Sequence, residues 1–227
     1  MASKKSNHNR SKQLNPQHPT YWKSCGQARP SNFADVSAYT QQRGLREAQI
    51  CAASHESRAE QALLAEDRNK ARELLQVVCP KAPVMLGGSR HKKTHLRGAD
   101  QDTKVLQQQA KTQEQHEKIT QLLPEYGFRD LDPSNPRIHK IKRKGPPMDV
   151  VFQNTNQRFF TSGRPKNPCS HNPELQKAVR EVKLSARERG VALRGHDIQQ
   201  CCIEQQQTKK HQDFLEVAEG AKSRLMA

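Results

Sequence analysis

The sequence is short of the residues that build a large core. Aromatic side chains make up 4% and all apolar residues 33% of its 227 residues, with a mean hydropathy of −1.01. Ordering one residue costs about 1–2 kcal/mol of backbone entropy, which so little apolar surface offsets only along narrow stripes. A single compact globule is therefore not expected. No apolar run approaches the roughly 18–20 residues that cross a bilayer, so no transmembrane helix and no membrane partner are expected. Acidic residues are missing from positions 1–30, which hold Lys4, Lys5, Arg10, Lys12, Lys23 and Arg29. The polar start gives no secretory signal. Cys201 and Cys202 are adjacent, an awkward pair for two structural disulfides. The cysteines are accordingly read as free thiols in a reducing compartment, cytoplasmic or nuclear.

Signatures of chemistry are missing as well. There is no Gly-x-Ser-x-Gly, no Walker loop and no dinucleotide fingerprint. Gly87-Gly88-Ser89 lacks the following Gly-Lys-Ser/Thr that a phosphate loop requires. His55-Glu56 suggests a metalloprotease helix, but Ala59 stands where its second histidine belongs. Cys169 with His171, and Cys201 and Cys202 with His196 and His211, do not match zinc-ligand spacings. Neighbouring cysteines on a helix also point about 100° apart. Ala186 and Gly190-Val191 share features with a helix-turn-helix, but His196 occupies the position that should be a buried aliphatic. The expectation is a non-enzymatic protein without catalytic residues, metal or cofactor.

What is present is positive charge. Lysine and arginine exceed aspartate and glutamate by 39 − 23 = +16, with pI near 9.9. Such an excess favours polyanionic partners. It concentrates in two connectors, one holding Arg90, Lys92, Lys93 and Arg97, the other Lys140, Lys142, Arg143 and Lys144. Arg158 and Arg164 flank Phe159-Phe160, an aromatic and basic surface suited to stacking bases. Tyr21-Trp22, side by side in the basic tail, form a second stacking candidate or a segment that docks on a partner or on the protein itself. The ten basic residues from Arg90 to Arg164 named here are the expected phosphate contacts.

Local patterns read as helix. Asn172 is placed to cap a helix with Pro173 at its first position and Glu174 near the positive end of its dipole. Leu175, Ala178, Val179, Val182 and Ala186 then line one face until Gly190. A second helix is expected from Asp197, carrying Ile198, Cys201 and Cys202 inward. Upstream, Ala59, Leu63, Ala71, Leu74, Leu75 and Val78 mark a helix that Pro80 and Pro83 close. Val105, Leu106, Ala110, Ile119, Leu122 and Leu123 suggest another, more polar one. The Asp149–Phe152 and Arg158–Thr161 runs leave room for a short β-hairpin.

The expected organisation is mainly α. A disordered basic tail over 1–34 precedes a helical segment over 35–79, a basic linker over 80–102 and a polar helix over 103–124. A Pro-rich basic connector over 125–171 with the short hairpin follows, and a helical hairpin over 172–227 ends the chain. The functional expectation is a nucleic-acid-binding accessory protein, RNA favoured over DNA, whose basic linkers grip phosphate. The alternative is an assembly subunit that uses its amphipathic helices to bind a protein partner. Oligomeric state stays open.

Overall fold

The structure, a computed structural model, describes residues 33–135, 138–155, 168–208 and 213–226. The described residues divide into two units, one within 55–170 and a helical one drawn from 33–54 and from those described after 170.

In the first unit Ser57 opens helix α2 (Arg58–Val78) with a capping box. Its hydroxyl accepts from Glu60 N at 3.2 Å, and the Glu60 carboxylate accepts from Ser57 N at 2.8 Å. Two of the unpaired amides at the helix start are thereby satisfied. Leu64, Asp67, Ala71, Leu74 and Leu75 form its buried stripe. The chain then runs through β1 (Val84–Leu86), the short helical turn α3 (Gly88–His91) and β2 (Gln101–Gln107). Helix α4 (Gln113–Leu122) starts at a second capping box, made by Thr112 and Gln115. Strands β3 (Arg129–Asp130), β4 (Ile138–Lys142) and β5 (Met148–Asn154) complete a mixed sheet of order β1-β2-β5-β4-β3. β2 and β5 run parallel at its centre, and the other pairings are antiparallel. Val105, Met148, Val150 and Ile141 on one sheet face meet Ala71, Leu74, Leu75, Ile119 and Leu123 of α2 and α4 in a single core.

The helical unit is built around α5 (Pro173–Glu188), against which α1 (Phe33–Ser54), α6 (Gly195–Thr208) and α7 (Phe214–Leu225) pack. Asn172 caps α5, its side chain accepting from Leu175 N at 3.1 Å. Gly190, at φ +68°, turns the chain out of it. Leu175, Val179, Val182, Ile198, Cys202, Phe214 and Ala218 are fully buried. Ion pairs lie over this core. Arg43 Nε reaches Asp213 at 2.6 Å, and Glu181 holds both Arg46 Nε and Lys222 Nζ at 2.6 Å.

The fold is α/β, which corrects the mainly helical expectation. Residues 101 and 102 were expected to end a basic linker, and 103–107 to begin a polar helix through Val105 and Leu106. They form a central strand because Gln101, Thr103 and Val105 alternate with Asp102, Lys104 and Leu106, a period of two that strand pairing on both sides rewards. The run of isoleucines and cations at 138–142 is an interior strand that buries His139 and Ile141. Asp149–Phe152 belongs to β5 and pairs with β2 and β4, and Arg158–Thr161, its expected hairpin mate, lies outside the described residues. Among the described residues the expected C-terminal hairpin holds three helices, the second of which begins at Gly195, ahead of Asp197. Most of the expected disordered tail, residues 1–32, lies outside the described residues.

Candidate active site

Residues paired across neighbouring strands share a sheet face. Asp102 of β2 pairs with Asp149 of β5, which pairs with Lys140 of β4. All three therefore lie on the face opposite to buried Thr103, Val150 and His139, away from α2 and α4. Lys104 and Val151 form the next row of the same face. The alternation that buries Val105 thus also sets two carboxylates side by side on the other surface of the sheet.

A third carboxylate, Asp100, stands immediately before β2, and Lys140 Nζ reaches its Oδ2 at 3.2 Å. Asp149 is held above the usual carboxylate range, chiefly by burial. Lys140 opposes that shift, and the charges of Asp100 and Asp102 add to it. Its Oδ1 is buried and meets no hydrogen-bond partner among the described residues. A raised acid beside two like charges, with an unsatisfied buried oxygen, is an environment of the kind found at functional sites.

The turn from β1 into α3 folds over this row. Gly87 N donates to Asp102 O at 2.8 Å. Gly88 adopts φ +62°, and a Cβ there would lie 1.6 Å from Asp102 Oδ2. A Cβ on Gly87 would lie 2.8 Å from Lys104 Cε. Position 88 demands glycine, for backbone conformation and for close approach, while at position 87 the flexible end of Lys104 could move aside. Just beyond α3, burial pushes the Lys92 ammonium below its ordinary range, with repulsion from Lys104 adding and Cys169 and Asp102 opposing. The next residue, Lys93, turns the chain at φ +57°, in a conformation that side chains other than glycine seldom adopt. One small patch therefore gathers Asp100, Asp102 and Asp149 with Lys92, Lys104 and Lys140.

The donors suit a hard divalent cation. All are carboxylate oxygens, the ligands Mg²⁺ prefers, and Asp149 Oδ1 is an open acceptor. Among the described residues no three His, Cys, Asp or Glu side chains enclose a metal ion by themselves. That agrees with the habit of Mg²⁺, which takes one or two carboxylates and completes its shell with water and substrate phosphates. The residues fit the ion on those terms. A cleft of about 750 Å³ lies elsewhere, lined by Pro80, Pro83, Gln107, Gln115 and their neighbours. It holds no carboxylate, and the chemistry gathers on the open sheet face.

The expected phosphate contacts separate into groups. Lys140 and Lys142 lie on the carboxylate face of β4, while Lys92 and Lys93 adjoin it. Arg90 is buried, bonding Glu56 Oε1 and Ala99 O at 2.7 Å each. Arg97 pairs with Glu60 at 2.8 Å. Arg143 bridges Glu66 and Asp67, and Lys144 pairs with Glu66. Arg158, Arg164, Phe159, Phe160, Tyr21 and Trp22 lie outside the described residues. Sequence reasoning missed all three aspartates. The available signal was Gly87-Gly88-Ser89 between two strand-like runs, followed by Asp100-x-Asp102 at the start of the second.

No protein-family model and no curated protein sequence matches this chain. Solved structures share its fold. One is described as a cytoplasmic RNA terminal U-transferase, with TM-score 0.56, 17% identity, and 70% of this chain and 50% of that one covered. The Cid1 poly(U) polymerase, as a mutant bound to MgATP, gives TM-score 0.54 and 17% identity over 69% of this chain and 53% of its own. The GLD-2/RNP-8 complex gives 0.55 and 15% over 73% and 62%. The chain spans about half the length of the first two of these. What they share with it is this mixed α/β fold. This overturns the expectation of a non-enzymatic accessory or assembly protein, because that architecture is carried by structures described as transferases and polymerases. RNA-acting neighbours and a neighbour held in a protein complex are consistent with nucleic-acid or protein partners in general. Among the described residues no helix is long and apolar enough to cross a membrane.

Proposed function

We propose that this protein is a nucleotidyltransferase that adds nucleotides from a nucleoside triphosphate to the 3′ end of RNA. The observation that carries the reading is the pairing of Asp102 with Asp149 across the parallel strands β2 and β5, beneath the Gly87-Gly88 turn. In the reaction the RNA 3′ oxygen bonds to the α-phosphorus, the bond from that phosphorus to the bridging oxygen breaks, and pyrophosphate leaves. Mg²⁺ held by Asp102 and Asp149 with the phosphates would neutralise charge as it develops on the transferring group. Asp149, with one buried oxygen that meets no partner among the described residues, is placed to take the proton of the attacking hydroxyl. The bare backbone of the glycine turn lets a triphosphate approach the sheet, and Lys92 and Lys104 supply positive charge beside it. Lys93 and Lys142, with Arg158 and Arg164, are proposed to guide the acceptor strand by its phosphates. The neighbours described as an RNA terminal U-transferase and a poly(U) polymerase support RNA as acceptor.

The test is extension of an end-labelled single-stranded RNA with each nucleoside triphosphate in Mg²⁺. The wild-type chain is expected to lengthen the RNA. D102N and D149N should each lose at least about a hundredfold in rate, the scale of removing a positioned acid or base. D149N should unfold no lower than the wild type, since burial and its carboxylate neighbours already disfavour its charge. Failure to extend with any nucleotide, or extension indifferent to both aspartates, refutes the assignment.

A further inference from the structure

Lys140 stands where the proposed reaction would not need it. It lies on β4 directly across from Asp149, and its ammonium is 3.2 Å from Asp100 Oδ2. One cation thus serves two of the three carboxylates on the open face. A lysine ammonium is charged through the physiological range. A divalent ion approaching the same oxygens meets a positive charge already in place, and like charges a few ångströms apart repel by an amount that matters even near a protein surface. A nucleoside triphosphate changes that balance, since it brings several negative charges and its own oxygen ligands. The four-carbon stem of a lysine lets the ammonium swing from a carboxylate to a phosphate without moving the strand.

Resting on the nucleotidyl-transfer reading, we infer that Lys140 is a resident counter-ion that keeps free divalent cations off the carboxylate face until a nucleoside triphosphate arrives, so that metal and nucleotide enter together. Lys140 is then a positioning residue that regulates the site. Linkage makes the effect reciprocal: the lysine that weakens binding of the ion alone strengthens the dependence of ion binding on nucleotide.

The experiment titrates the full chain with Mn²⁺, read by the electron paramagnetic resonance of the free ion, with and without a non-hydrolysable nucleoside triphosphate analogue. Wild type is expected to bind Mn²⁺ weakly alone and much more tightly with the analogue. K140M should bind Mn²⁺ alone about tenfold more tightly, the order expected for removing one partly exposed charge beside a divalent site, and should lose a similar factor of coupling. K140R should behave as wild type. The Lys140–Asp100 pair is about two-fifths exposed and contributes little to stability, so K140M folds. Unchanged or weaker Mn²⁺ binding by K140M, or K140R matching K140M, overturns the role of Lys140 while leaving the site assignment intact. Mn²⁺ binding in the presence of analogue that ignores both D102N and D149N overturns the site assignment itself.

Discussion

Acid should destabilise the sheet unit through one histidine. His139 is fully buried on the core side of β4, with Nδ1 3.4 Å from Asp130 Oδ2 and Nε2 3.3 Å from Lys111 Nζ. His116 stacks on it at a ring-centroid distance of 4.5 Å, its Nδ1 3.0 Å from the same ammonium. Lys111 is thus placed to donate to His139 Nε2, which requires that nitrogen to be unprotonated. Burial, then the Lys111 charge, push His139 from 6.5 down to about 4, with His116 adding and Asp130 opposing. Because the folded value lies below the unfolded one, the unfolded chain binds more protons between these limits. Stability from a neutral His139 is therefore complete above pH 6.5 and is lost as pH falls through about 4. The drop of about 2.5 units, at 1.36 kcal/mol per unit, amounts to about 3 kcal/mol. Urea unfolding of wild type and H139Q from pH 7.5 to 4 should show that extra loss in wild type alone. The histidine proton resonances give the site-specific check. A His139 ring that titrates at or above 6.5 would refute the reasoning, as would K111M failing to raise its midpoint.

Two further outcomes follow from the geometry. G88A should cost at least about 1–2 kcal/mol, the penalty for an L-residue in the left-handed region, and more as its Cβ displaces Asp102; thermal unfolding measures the loss, and RNA extension should fall with it. Asp67 is buried and accepts from Arg143 Nη1 at 3.0 Å and from Gly145 N at 2.7 Å. D67A should cost about 1–3 kcal/mol in denaturant unfolding, because it leaves the Gly145 backbone donor without its acceptor, while Arg143 keeps Glu66.

What the sequence determined by itself was local. The Asn172 cap, the stripe from Leu175 to Ala186 and the Gly190 exit are realised because each depends on residues within a turn or two of one another. Proline at position 80 closes α2 for the same reason. The excess of positive charge was also legible, but composition does not say which cations are consumed. Arg90, Arg97, Arg143 and Lys144 are held by Glu56, Glu60, Glu66 and Asp67 of α2 and the residues before it. Only the tertiary structure made Gln101–Gln107 a strand, since its few apolar residues fit a weak helix until β1 and β5 supply backbone partners on both sides. The aspartates share that origin. Asp102 and Asp149 are distant in sequence, and Asp149 is not distinguished by its immediate neighbours. Strand register sets them opposite one another, and the glycine turn leaves the space in which their charges act.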